Sequence, residues 1–292
     1  MNELIIIPLL NKSVSLFPGP PFYFNDDIFI DRITDDEFSA FFRGAKDEYK
    51  NILNINKTKC IKYKARQIDK DLAKSLKNKT IFCLNVFSEY PIVTTWAGIV
   101  TGEKKLKIKE IADFEALAGL NKISSYKFKF HNGIKRPAVS EFYKIIDSSV
   151  KKTPEVIFTL EKYNSALLRT EFFDKVVDTT ICFETLIPGN SELTYKLSLY
   201  IAYITSTSPH ERENTFEEMK KLYEVRSKIV HGDLNGSSIK KKLRKVETDW
   251  KQYEQILKSA VTYYLIYLSQ KSKNDWESHL KKLVLGTESK II

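Results

Sequence analysis

Two rhythms of apolar residues divide the chain. Up to about residue 145, short runs rich in β-branched and aromatic side chains are bounded by turn signals, the pattern of strands. Leu4–Leu10, Phe22–Phe24, Ile28–Ile30, Ile61–Tyr63, Ile81–Phe87 and Tyr126–Phe130 are such runs. One helix interrupts them: Thr34-Asp35-Asp36-Glu37 has capping-box spacing and is followed by Phe38, Phe41 and Phe42. The carboxylates of Asp31, Asp35, Asp36 and Glu37 are read as helix caps and dipole partners rather than as metal ligands.

From Thr153 onward the spacing is helical. Thr153-Pro154 opens a helix to about Arg169, with proline at its first position. A second helix runs from about Phe172 to Ile187 and ends at Pro188-Gly189. A third covers about Leu193–Ile204, with Leu193, Leu197, Tyr200 and Ile204 on one stripe. Ser208-Pro209-His210-Glu211 starts a fourth, which stops at Gly232. A fifth is expected from about Ser238 to Lys271, and a short sixth near Trp276–Leu283. Helices with such short connections form an antiparallel bundle. The predicted class is therefore α+β, with a β-rich domain over residues 1–148 and an all-α bundle over 149–292.

Composition narrows the class further. The chain has 292 residues, 42% of them hydrophobic, with few glycines and prolines, as in a globular protein. No stretch approaches the roughly 20 apolar residues of a membrane span. Leu4–Leu10 is too short for a signal peptide and lacks a basic lead-in. Cys60, Cys83 and Cys182 are scattered, which points to a reduced, cytoplasmic protein without a disulfide framework. The formal charge of +10 favours polyanionic partners. It is spread over the chain, with 24 basic against 18 acidic residues up to residue 150 and 23 against 19 beyond it.

Two charges sit on the wrong faces of their helices. At about 100° per residue from Phe216, an apolar arc contains Val225, Ile229, Leu222, Met219, Val230, Tyr223 and Phe216. Arg226 falls inside it, between Leu222 and Met219. Counting from Phe172, Glu184 falls inside the apolar arc of the second predicted helix. An unpaired charge there costs several kcal/mol, so Glu184 and Arg226 are expected to meet across the helix–helix contact. Such a pair suits a register-setting salt bridge, and equally an arginine held rigid at a cleft. His231 ends the helix just before Gly232, a natural C′ residue, where the negative end of the dipole favours its protonated form. A proton-transfer group near a planar cation suits phosphodiester cleavage.

Arg226, four intervening residues and His231 match the arginine–(four to six residues)–histidine signature of HEPN-domain ribonucleases. With "FETL" and "SELTYKLSLYIAYI" upstream, "LYEVRSKIVHG" resembles the Apea-like branch of that superfamily, over roughly Pro154–Tyr267. The resemblance implies a metal-independent, cofactor-free endoribonuclease working as a homodimer with a composite cleft. It implies attack by the RNA 2′-OH on the adjacent phosphate, leaving a 2′,3′-cyclic phosphate and a 5′-OH. His231 then transfers protons and Arg226 stabilises the phosphoryl oxygens. Glu184, Ser227 and Tyr223 support them. A prokaryotic antiviral-defence or toxin role follows from the same resemblance. Gly232-Asp233 replaces the tyrosine that certain HEPN toxins carry two residues after the histidine, so regulation by nucleotidylation of that tyrosine is not expected.

Lys240, Lys241, Lys242, Arg244 and Lys245 follow the motif at the start of the fifth predicted helix, where they oppose the helix dipole. They read as a strip for single-stranded RNA or tRNA, or as a solvated basic face. No P-loop, nucleophile elbow or H-E-x-x-H pair is present, and His131, His210 and His279 lack metal-like spacing. The alternative function is a non-catalytic RNA-binding or protein-interaction module. A phage-derived or nucleotide trigger acting through the N-terminal domain is a further expectation, resting on the two-part organisation.

Overall fold

The structure, a computed structural model, describes residues 3–8, 21–32, 34, 59–65, 69–88, 92, 98–100, 106–107, 136–189 and 192–291. The chain divides into two compact units, Met1–Lys144 and Ile145–Ile292. Asp35–Phe42 of the proposed capped helix and the Tyr126–Phe130 run lie outside the described residues.

Among the described residues of the first unit, six strands form one antiparallel sheet in the order β2-β3-β4-β1-β5-β6. They are β1 Glu3–Pro8, β2 Phe22–Tyr23, β3 Ile28–Arg32, β4 Lys59–Ala65, β5 Gly98–Val100 and β6 Leu106–Lys107. Ile5 of β1 and Ile28 of β3 both face Tyr63 of β4 in register, so the centre of the sheet is built from the apolar runs visible in the sequence. The expected strand Ile81–Phe87 is instead the second half of helix α1, Lys70–Phe87. The Asp69 carboxylate caps α1 by accepting from the Leu72 amide at 2.8 Å. A short apolar run has no period of its own, and here the capped helix before it continues through it.

Helix α2, Arg136–Lys152, is an addition to the elements expected from the sequence. Its buried residues Val139, Phe142, Tyr143, Ile146 and Val150 follow 3.6-residue spacing. Within the first unit, Phe142 packs edge-on against Phe87, and the Val139 carbonyl accepts from the buried Cys83 thiol.

The second unit is all helical. After the last turns of α2 come α3 Val156–Leu168, α4 Phe172–Glu184, α5 Leu193–Thr205, α6 Pro209–His231, α7 Ser237–Thr248, α8 Trp250–Gln270 and α9 Trp276–Leu285. Helix α4 packs on α3, α5, α6 and α8, and α6 on α4, α5 and α7. The expected fifth helix is two. Asp249, with φ −93° and ψ 13°, ends α7 and caps α8, so the axis changes direction between Thr248 and Trp250. Across that break Lys245 pairs with Asp249 at 2.6 Å. No helix among the described residues is long and apolar enough to cross a membrane.

Candidate functional site

Helix α6 carries the arginine and the histidine, and both its ends are specified locally. Ser208 Oγ accepts from the Glu211 amide, and the Glu211 carboxylate returns the bond to the Ser208 amide, closing a capping box with Pro209 at N1. These bonds, with that from Thr207, hold the Glu211 carboxyl down at about 2. At the other end Gly232 takes φ +71°, its amide donates to Ile229 and the Asp233 amide donates to Lys228. This is a Schellman turn, in which glycine avoids the Cβ clash of a left-handed backbone. An ion pair between Lys228 and Asp233 spans the turn.

The turn sends the chain back along α6. Lys242 of α7 reaches Glu224 at 2.6 Å, and the Tyr253 hydroxyl of α8 donates to Glu218 one and a half turns earlier. Helix α6 is thus held on three sides.

Glu184 and Arg226 meet as the misplaced charges required. Arg226 Nη2 lies 3.6 Å from Glu184 Oε1, and the two side chains are only 24% and 23% exposed. The separation is that of an ion pair, not of a hydrogen bond. Arg226 Nε and Glu184 Oε1 are enclosed without hydrogen-bond partners. Below it the Tyr223 ring centroid lies 5.7 Å from Arg226 Cζ. Burial, reinforced by the Glu184 carboxylate, pushes the Tyr223 phenol above its ordinary value. Arg226, Glu184 and Tyr223 therefore form one cluster. Ser227, half-buried beside it, makes no side-chain hydrogen bond to a described residue.

His231 stands apart. It is exposed on the last turn of α6 and makes no side-chain hydrogen bond to a described residue. Five residues correspond to about 140° of rotation and about 7.5 Å of rise, so Arg226 and His231 leave the helix in different directions. One copy of α6 does not aim both groups at one atom. Val230, one turn beyond Arg226, is an exposed apolar side chain, while the exposed Phe173 and Tyr195 stand farther off, at the start of α4 and against Phe216.

The basic run falls on α7 but does not act as one strip. Lys242 is spent on Glu224 and Lys245 on Asp249. Lys240, Lys241 and Arg244 are exposed, with no acidic partner among the described residues. They share the face opposite Ile239 and Val246, the residues α7 buries.

The deepest carboxylate in the second unit escaped sequence reading. Asp178 of α4, its side chain 6% exposed, takes Arg169 Nε at 2.7 Å and Lys162 Nζ at 3.2 Å. Its signal was a carboxylate within the otherwise uncharged stretch Val176–Phe183, and its partners on and just after α3 show the role to be joining two helices. Among the described residues no group of three or more histidine, cysteine or acidic side chains could hold a metal ion.

Comparison with models of known protein families, with curated proteins and with solved structures gives no match.

Proposed function

We propose that this chain is a metal-independent endoribonuclease of HEPN type, acting as a homodimer. The observation that carries the reading is the Glu184–Arg226 pair on the helix that ends in exposed His231. A partly exposed guanidinium held by a carboxylate suits the phosphoryl oxygens of a transition state. An exposed imidazole at a helix C-terminus suits proton transfer. Because the two groups diverge on one helix, a single cleft needs His231 or Arg226 from a second copy. The exposed Val230 beside His231 supports such an association.

In the reaction the ribose 2′-oxygen forms a bond to phosphorus as its proton passes to an imidazole. The bond from phosphorus to the 5′-oxygen breaks, and that oxygen receives a proton. The ends are a 2′,3′-cyclic phosphate and a 5′-OH. Glu184 and Tyr223 position Arg226, and Lys240, Lys241 and Arg244 contact flanking phosphates. A defence or toxin role and a trigger acting through the first unit belong to the same reading.

The test is incubation of the whole protein with single-stranded RNA and tRNA in EDTA, with cleavage ends identified by mass spectrometry. His231→Ala should lower cleavage about 100-fold or more with the helical signal intact. Cleavage that requires a divalent metal, or full activity in that variant, overturns the mechanism. RNA retention without cleavage under all conditions favours a non-catalytic binding module instead.

A further inference from the structure

A second site lies on the same unit, where α3, the end of α4, α8 and the short 3-10 turn Lys273–Asp275 meet. It is a cavity of about 420 Å³ bordered by Glu155, Phe158, Thr159, Thr185, Tyr264 and Lys273. That volume is within the range of about 300–1,000 Å³ usual for small-molecule sites.

The polar groups around it are committed in only one direction. Thr159 donates its hydroxyl to Thr185 Oγ1 at 2.9 Å, and Thr185 donates to the Cys182 carbonyl at 2.6 Å. Both protons are used, so the pair offers lone pairs alone. Tyr264 is the opposite case. Its side chain is buried, with 3% of the residue exposed, yet the hydroxyl makes no hydrogen bond to any described residue. Burial first and the nearby Glu155 carboxylate second push its phenol up to about 12, which keeps the proton on the oxygen. Tyr264 and Glu155 both line the cavity.

The ring is buried but the hydroxyl is not an enclosed atom, so its donor is open to solvent or to a ligand. Here the ring is fixed by Trp276, whose centroid lies 5.0 Å away, and the Trp276 indole N–H donates to Leu186, next to Thr185. The arrangement is held rigidly with a donor left over. At the mouth, Lys273 and Glu155 stand 4.0 Å apart, and Phe158 forms an aromatic wall that is 48% exposed.

An aromatic wall, a fixed donor, paired lone-pair acceptors and a cation at the mouth match one ligand class. We propose that this cavity binds a nucleobase, stacked on Phe158 and hydrogen-bonded at its edge by Tyr264 and the Thr159–Thr185 pair, with Lys273 meeting the attached phosphate. The base belongs to a free nucleotide or to an unstacked residue of an RNA strand, and only the latter source rests on the ribonuclease reading. Thr185 directly follows Glu184, so the cavity and the Arg226 pair share the last turn of α4.

The test is calorimetric titration of the whole protein with each of the four ribonucleoside 5′-monophosphates and with a short single-stranded oligoribonucleotide. Saturable binding of at least one is expected, weakened about tenfold by Phe158→Ala through lost stacking. Tyr264→Phe should weaken it about threefold through one lost hydrogen bond. The first side chain is exposed and the second substitution keeps the ring, so both variants retain the fold. Monophosphates that bind in the stated pattern identify a nucleotide site, and an oligonucleotide alone doing so identifies an RNA subsite. No saturable binding, or binding indifferent to both substitutions, overturns the proposal. Nucleotide binding without RNA cleavage leaves this site standing and removes the ribonuclease reading. Cleavage with Phe158 and Tyr264 irrelevant does the reverse.

Discussion

Arg226 reaches Glu184 across the α4–α6 contact and stops at 3.6 Å, close enough for charge and too far for a hydrogen bond. The partial exposure of both side chains makes the stability value of the pair intermediate. Glu184→Ala should cost about 1–3 kcal/mol, between an exposed and a fully buried pair. Urea unfolding of Glu184→Ala, Arg226→Ala and the double variant checks this. The double variant should be destabilised clearly less than the sum of the singles.

Asp178 sets the contrasting scale. Its carboxylate is nearly enclosed and satisfies two cations, Lys162 on α3 and Arg169 at its end. Asp178→Ala removes the enclosed carboxylate that Lys162 and Arg169 share and should cost about 2–4 kcal/mol. An unfolding midpoint equal to that of the parent protein would contradict this role.

The start of α6 gives a pH dependence of known sign. The Glu211 carboxyl falls from its ordinary value of 4.5 to about 2 in the folded chain. The folded state therefore favours the ionised form, and the stability this adds is full above 4.5 and lost as pH falls toward 2. Melting temperatures of the parent and of Glu211→Gln should converge as the solution is acidified through that window. A constant difference would mean that Glu211 does not titrate as part of the capping box.

The second unit was largely legible because its signals are local. Capping at Ser208, the stop at Gly232 and the period of α5 each rest on a few neighbouring residues, and each stands where the spacing put it. The Glu184–Arg226 contact was also inferable, since two opposite charges on apolar arcs have few other ways to be satisfied. What failed was non-local or ambiguous. Ile81–Phe87 has no period of its own, and the break at Asp249 interrupts an apolar pattern that runs almost in phase from α7 into α8. The cavity at Tyr264 was not readable, because it brings together residues of α3, α4 and α8 whose spacing carries no common motif.

The basic residues of α7 separate by what they already touch. Neutralising Lys240, Lys241 and Arg244 should weaken single-stranded RNA binding and lower the log–log salt slope by about 0.7 for each phosphate no longer neutralised. Neutralising Lys242 and Lys245, whose charges Glu224 and Asp249 already absorb, should change that slope little. Filter binding across a salt series distinguishes the two sets.

His231 should be thermodynamically silent. It is exposed, with no hydrogen-bond partner among the described residues, so His231→Ala should shift unfolding by no more than about 0.5 kcal/mol. A larger effect would reveal a structural role and weaken its assignment to proton transfer.

The segment after α9 has a bearing on how the bundle opens. Lys290 donates to the Ser206 carbonyl at the end of α5, the Ile291 amide donates to the Tyr263 hydroxyl, and Glu288 lies 3.2 Å from the buried His279 ring. The Lys290 bond ties this segment to the turn that launches α6, 84 positions earlier in the chain, and the other two tie it to α8 and α9. Hydrogen exchange in the first turn of α6 and in α9 should then proceed at a shared rate, as one cooperative opening. The helix that carries Arg226 and His231 is locked at its far end by residues that come last in the chain.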